Sequence, residues 1–390
     1  MSETTDRALS GLKVVELARV LAGPWVGQTL ADLGADVVKV ESPAGDDTRT
    51  WGPPWIDHQS GRSAAYYHAC NRGKRSVTAD FRNPDDLDFV RALIADADVV
   101  IENFKVGGLG KFGLDHASLA ADHPRLIYCS ITGFGQTGPY AHRAGYDLAI
   151  QAMSGVMDLT GEAEGPPQRL GVAFADIFTG LYATIAIQAA LVQRERTGEG
   201  QYIDMALLDS MISVLGNQAM NYFATGTSPR RIGNAHPSIV PYQEFGCSDG
   251  HIIIACGNDA QFERLARALA LDEAVLSANR TNAQRVGNRA MLAALMSDRL
   301  VTMSRAEALA MLEDNGVPAG PINSVAEAFD DPQVQHRGLA IASDGVPGLR
   351  SPIRMSGSET GATTRAPGLG EHTEMVKAEL RENGWTGPGQ

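Results

Sequence analysis

The chain has 390 residues, 44% hydrophobic and 20% charged, with a formal net charge of −13 at neutral pH. That length builds a substantial core in two or three domains, and the composition is that of an ordinary soluble globular protein. The acidic balance excludes nucleic acid as the main partner, since phosphate backbones demand clustered Lys and Arg, but it leaves room for a small anionic ligand on a local basic patch.

The N-terminus carries no basic-then-apolar signal, and no run reaches the ~18 apolar residues of a membrane span, so a cytoplasmic protein without membrane contact is expected. Residues 12–17 form an apolar run, Ala22-Gly-Pro24 a turn, 25–33 an amphipathic segment stopped by Gly34, and 35–40 a second apolar run. That is a βαβ unit. Runs at 98–101 and 125–131 add strands with helices between them, which predicts an α/β fold built on a parallel sheet covered on both faces. No G-x-G-x-x-G follows the first strand, and Gly108-Leu-Gly-Lys111 is the nearest approach to a P-loop, so neither a standard NAD site nor a P-loop is supported. Cys70, Cys129, Cys247 and Cys256 lack CxxC spacing, which predicts free thiols and no metal site.

Asp176 is a lone carboxylate in a small, apolar stretch over 171–183, ahead of a helix predicted over 177–193. Two roles suit it, helix N-cap or nucleophile, and the pattern leaves both open. They are compatible, because a helix N-terminus stabilises an anion. Gly198 and Gly200 stop that helix, a strand follows at 201–205 and a helix at 207–222. A polar linker at 224–234 leads to a hairpin, 242–245 and 251–255, around Ser248-Asp-Gly250, then to helices near 260–270, 284–300 and 304–314. Asp259 is placed to cap the first of these, and Ser304, Gly316 and Pro318 punctuate the last. The expected organisation is a large domain begun by 1–223, a smaller α+β domain at 224–330, and a return segment at 331–390 with a strand at 350–355.

Eight stretches in order resemble the class III CoA-transferases of the formyl-CoA transferase type: Arg19-Val-Leu-Ala-Gly-Pro24, Leu33-Gly-Ala-Asp-Val-Val-Lys-Val-Glu41, Gly45-Asp-Asp-Thr-Arg49, Asn71-Arg-Gly-Lys-Arg-Ser76, Val100-Ile-Glu-Asn-Phe104, Ile131-Thr-Gly-Phe-Gly135, the Asp176 segment, and Pro367-Gly-Leu-Gly-Glu-His-Thr373. The resemblance implies a Rossmann-like large domain, an interlocked homodimer, and Asp176 as the acyl-accepting nucleophile. It implies acyl-CoA and carboxylic acid substrates, with coenzyme A as co-substrate and no permanently bound cofactor. Positions matching the family's CoA contacts are Val20, Leu21, Ala79, Phe81, Arg82, Asn103, Phe104, Lys111, Thr132, Gly133 and Phe134. For Arg82 and Lys111 solvated surface charge is the alternative. Leu21, Ser42 and Thr132 depart from the Gln, Arg and Lys of the formyl-CoA transferases, which makes formyl and oxalyl groups poor substrates.

Further stretches, including Arg143-Ala-Gly-Tyr-Asp147 and Gly316-Val-Pro-Ala-Gly-Pro-Ile-Asn323, are similar to the branch that moves CoA from succinyl-CoA to dicarboxylates such as glutarate. A second carboxylate needs an anchor, and Arg19 and His236 are the candidates, against a surface ion pair and a hydrogen-bonded loop histidine as alternatives. Trp51 and Tyr146 are candidates for walling the acyl pocket, and Gly233, Gly257 and Asn258 for backbone oxyanion donors. Two other readings stay open: a racemase of α-methylacyl-CoA, whose catalytic His is replaced by Tyr146, and an acyl-CoA binding protein without turnover.

Overall fold

The computed structural model describes residues 7–382 and 384–385. Six strands, β1 (Lys13–Glu16), β2 (Asp36–Glu41), β3 (Arg75–Thr78), β4 (Val99–Glu102), β5 (Ile127–Thr132) and β6 (Tyr202–Ala206), pair in parallel in the order β3-β2-β1-β4-β5-β6. The helices used below are α1 (Ala22–Asp32), α2 (Pro84–Ala95), α3 (Asp147–Met153), α4 (Phe174–Thr197), α5 (Asp259–Ala268), α6 (Arg305–Asp314) and α7 (Thr373–Glu382). Val14, Val37, Val99 and Ile101 pack on one face with Val26 and Leu30 of α1 and Ala183 and Ile187 of α4. Val15, Val38, Val77 and Val100 pack on the other with Phe89, Val90 and Leu93 of α2 and Val376 of α7. Burial on both faces is why these strands read as continuous apolar runs.

Strand order reverses between β1 and β4, and the crevice beyond the carboxyl ends at such a reversal is where open α/β sheets bind ligands. Two close approaches shape that end. A Cβ at Gly180 of α4 would lie 3.0 Å from the Ala22 carbonyl and 3.1 Å from the Trp25 side chain, so this glycine lets α1 and α4 touch. A Cβ at Gly133 would lie 2.5 Å from Gly145 Cα, so two loops cross backbone to backbone there.

The chain divides into two compact units. One comprises residues up to Val156, Arg169–Met220, and residues from Gln333 on; the other comprises Met157–Gln168 and Asn221–Pro332. In the second unit β7 (Tyr242–Cys247), β8 (Gly250–Ala255) and β9 (Ala319–Pro321) form an antiparallel sheet in the order β9-β8-β7, packed through Phe245, Ile252 and Ile254 on Phe262, Leu265, Leu292 and Met296. Ser304 and Glu307 close a capping box on α6.

Several local expectations change. The turn at 22–24 is the first turn of α1, where Pro24 forfeits only an N–H that would have no helical partner. Gly216, at φ 53°, breaks the helix expected at 207–222 into Leu207–Ser213 and Asn217–Thr225. Asn288 separates Asn282–Gly287 from Arg289–Leu300. No strand forms at 350–355; Ala340–Ser343 and Val346–Leu349 pair as a hairpin instead. Asp259 is not a cap: the Asn258 side chain accepts from the Gln261 N–H at 2.9 Å, while Asp259 pairs with Arg285 at 2.7 Å. Helix α4 is long and apolar enough by length and composition to cross a membrane, with a mean hydropathy of 1.5, yet its Ala175, Ala183, Ile187 and Ala190 pack in the sheet's core.

Candidate active site

A cavity of about 430 Å³ opens at the β1/β4 reversal. Arg19, Val20, Asn103, Phe104, Lys111, Thr132, Gly133, Tyr146 and Asp176 line it together, brought from six separate segments of sequence. The turn after β1 is tied to the turn after β4 because Asn103 accepts from the Arg19 N–H at 2.9 Å and donates to the Arg19 carbonyl at 2.6 Å. The loop pinned by the Gly133–Gly145 crossing adds Ala141, Arg143 and Ala144 to the wall.

Asp176 lies in the first turn of α4 and is half-buried. It does not cap that helix. Ala173 is the N-cap and has no side-chain cap bond, and the helix's Ala175 N–H is satisfied at 2.9 Å by Asp147, which is remote in sequence and also accepts from Gln151 at 2.7 Å. Asp176 is therefore free of the capping role. The backbone N–H of Ala22, the first residue of α1, lies beside its carboxylate in the cavity wall. Burial, with the Asp147 charge second, pushes Asp176 up from 3.8 to about 7, and the Ala22 N–H pulls the other way. The N-termini of α1 and α4, both at this carboxylate, act in the same sense as Ala22.

Tyr66 was not anticipated from sequence. Burial first, then the Asp176 charge, pushes its phenol up to about 12, so it keeps its proton near neutral pH. Trp51 packs edge-on to it with ring centroids 5.3 Å apart, and so stands beside the cavity rather than in its wall. Asp47 and Arg143 are also new members of the wall. Asp47 takes the Arg19 guanidinium at 3.3 Å in an exposed pair, and the Arg143 guanidinium lies 4.0 Å from the Tyr140 ring centroid. The only sequence signal for Asp147 and Arg143 was their place beside Tyr146.

Other expected residues fall outside the cavity wall. Leu21 is the buried N-cap of α1, and Ala79 is buried after β3. Phe81 stacks behind the wall on Phe104 and Phe112, with centroids 6.2 and 5.5 Å away. Arg82 is exposed and grips Asp80 at 3.0 and 2.9 Å. Phe134 packs on the sheet's core. His236 lies in the second unit, where its Nδ1 accepts from the Ser238 N–H at 3.1 Å and its ring rests on Tyr242. The backbone donors expected at Gly257 and Gly233 are spent within that unit, on Gln261 at 2.8 Å and on the Gly161 carbonyl at 3.2 Å. The N–H beside the Asp176 carboxylate is instead that of Ala22 in the cavity wall.

Beneath the site lies a sealed charge cluster. Lys39 stands 3.0 Å from Glu16 and 3.0 Å from Asp46, and Lys74 stands 2.7 Å from Glu16, with all four side chains 0% exposed.

Residues 9–373 match the model of CoA-transferase family III. The chain is 55% identical to succinate–glutarate CoA-transferase of Agrobacterium fabrum, covering 95% of each chain. It is 42% identical to succinyl-CoA:glutarate CoA-transferase of Homo sapiens, covering 96% of this chain and 86% of that one. The crystal structure of a CAIB/BAIF family protein from Brucella suis superposes with a TM-score of 0.88 at 62% identity, covering 96% of this chain and 100% of that one.

Proposed function

The chain belongs to CoA-transferase family III, and from that premise we propose that it moves CoA from succinyl-CoA to a dicarboxylate such as glutarate, with Asp176 as the group that accepts the acyl chain. The observation that carries this reading is the Asp176 carboxylate itself: relieved of the capping role, exposed to the cavity, and raised to about 7 so that its anion is more basic than an ordinary carboxylate.

The Asp176 carboxylate attacks the thioester carbonyl, the C–S bond breaks, and CoA leaves as thiolate from a mixed anhydride. The thiolate attacks the aspartyl carbonyl of that anhydride and releases the donor acid, leaving an aspartyl-CoA thioester. The acceptor carboxylate displaces the thiolate to form a second anhydride. Thiolate then takes the acceptor's acyl group and frees Asp176. Charge develops on a carbonyl oxygen at each step, and the Ala22 N–H in the cavity wall is a donor that would support such stabilisation. Asn103, Phe104, Lys111, Thr132 and Gly133 would hold CoA along the cavity, with Lys111 offering charge to its phosphates.

Arg19 at the cavity wall is the candidate for the second carboxylate, which would compete with Asp47 for its guanidinium. The protein should convert succinyl-CoA and labelled glutarate to labelled glutaryl-CoA, and Arg19→Met should weaken use of glutarate by about 1.5–3 kcal/mol while sparing butyrate. Equal losses for both acceptors would remove Arg19 from this role, and no labelled glutaryl-CoA would remove the acceptor assignment.

The protonation state of Asp176 gives a pH signature. The nucleophile works only as the anion, so activity should fall as pH drops through about 7, by about tenfold per unit once well below it. Asp147→Asn removes the neighbouring negative charge but retains an oxygen for the Ala175 N–H. It lowers the Asp176 value and moves the acid limb of kcat/KM to lower pH. An acid limb that stays in place would assign it to another group.

The Rossmann-like reading of the large unit is supported by its strand order, that of two mononucleotide-binding halves. The homodimer is supported by an uncovered apolar face on α4, where Leu181, Tyr182, Ile185 and Val192 are exposed. Four free cysteines suit a reducing cytoplasm.

A further inference from the structure

The turn that delivers Ala22 to Asp176 holds a valine in a backbone conformation that valine avoids. Three non-glycine residues among those described have positive φ, and Val20, at 71°, is the β-branched one of the three. Its N–H points at both carboxylate oxygens of Asp46, at 3.3 and 3.2 Å. Asp46 is 1% exposed and fixed in turn by the Thr48 N–H at 3.0 Å, the Thr48 hydroxyl at 2.8 Å, and the ammonium of Lys39 at 3.0 Å. On the far side the Cys70 thiol reaches the Val20 carbonyl at 3.5 Å. Two residues on, α1 starts at Ala22 with no side-chain cap of its own, and Val20, Ala22 and Asp176 share the cavity wall, with the Ala22 N–H beside the Asp176 carboxylate.

We propose that Asp46 is a positioning residue for the transfer reaction: through its grip on the Val20 N–H it holds the left-handed turn that aims the Ala22 N–H at Asp176. The inference rests on Asp176 being the acyl-accepting group. Relaxation of Val20 to negative φ would rotate the peptide entering α1, and the donor at the reacting carboxyl would be lost while the cavity stayed open. The effect should therefore fall on kcat rather than on acyl-CoA binding.

The strain supplies the test, because glycine adopts φ near 71° without steric cost and needs no clamp. Asp46→Ala, which leaves the Val20 N–H without its acceptor, should lower kcat by about 10- to 100-fold, with KM for succinyl-CoA changing less than about threefold. In a Val20→Gly background the same substitution should cost less than about threefold in kcat. Thr48→Ala, which removes only one hydrogen bond that orients Asp46, should give a smaller kcat loss with the same rescue, and it decides the matter if Asp46→Ala does not fold. Equal losses in the Val20 and Val20→Gly backgrounds would overturn the proposal, as would a loss carried by KM. Borohydride trapping on the wild-type protein separates this from the premise: a labelled Asp176 with unrescued losses removes the role of Asp46 alone, whereas an unlabelled Asp176 during turnover removes the nucleophile reading.

Discussion

Asp176→Ala abolishes CoA exchange, with kcat reduced on the order of 10⁴-fold or more, while the protein stays folded and binds CoA. Alanine removes the attacking oxygen, and nothing else in the cavity wall supplies an equivalent anion: Asp47 is committed to Arg19. Asp176→Asn should be as inactive, and it carries an independent signature in stability. The folded-state value of about 7 lies above the ordinary 3.8, so folding favours the protonated form, and ionised Asp176 costs stability that grows as pH rises from about 4 and is complete above about 7. The Asn variant should therefore melt above the wild type at pH 8, with the gap closing by pH 4. Residual exchange near the wild-type rate would end the nucleophile assignment, and a melting gap independent of pH would place the carboxyl in an unperturbed environment.

Glu16→Gln should lower stability by about 3–5 kcal/mol, read as a fall in the denaturant midpoint of the large unit. Glu16 is the shared anion between the ammonium groups of Lys39 and Lys74, and none of the three side chains reaches water. With Gln in place Lys39 keeps Asp46, but Lys74 is left with the Pro24 carbonyl at 2.8 Å and Asn71 at 2.9 Å and no countercharge. Burial already holds Lys74 below its ordinary value, so the variant sheds that proton on folding and its stability should rise with pH. Lys74→Met in the Glu16→Gln background removes the orphaned charge and should restore part of the loss. A loss below about 1 kcal/mol would mean that the cluster contributes little to stability.

Much of the sheet could be read from the chain because its strands are buried on both faces, and apolar pairs such as Val14 and Val15 or Val37 and Val38 suit a strand covered from above and below. β3 escaped that reading. Its Arg75 and Ser76 look like surface residues, and only the fold supplies Asp36, Glu379 and Glu41 to neutralise and bond them. The site divides in the same way. Asp176 stood out because a lone carboxylate in an apolar stretch requires a reason, but sequence alone could not separate nucleophile from cap. The true partner of the helix N-terminus, Asp147, comes from a different element and leaves no local pattern. Tyr66 was hidden for the same reason, since its proximity to Asp176 exists only after α1, α4 and the segment between β2 and β3 converge. Arg82 shows the converse: its charge suited a phosphate, and the structure gives it Asp80.

The most direct test is chemical. Wild-type protein incubated with succinyl-CoA and then treated with borohydride or hydroxylamine should yield a peptide modified at Asp176, because an aspartyl thioester is an electrophile and a resting carboxylate is not. Modification should be confined to Asp176, depend on succinyl-CoA, and be reversed by an added acceptor acid. Continued CoA exchange with Asp176 unmodified, or modification at another residue instead, would rule out the covalent route through this carboxylate.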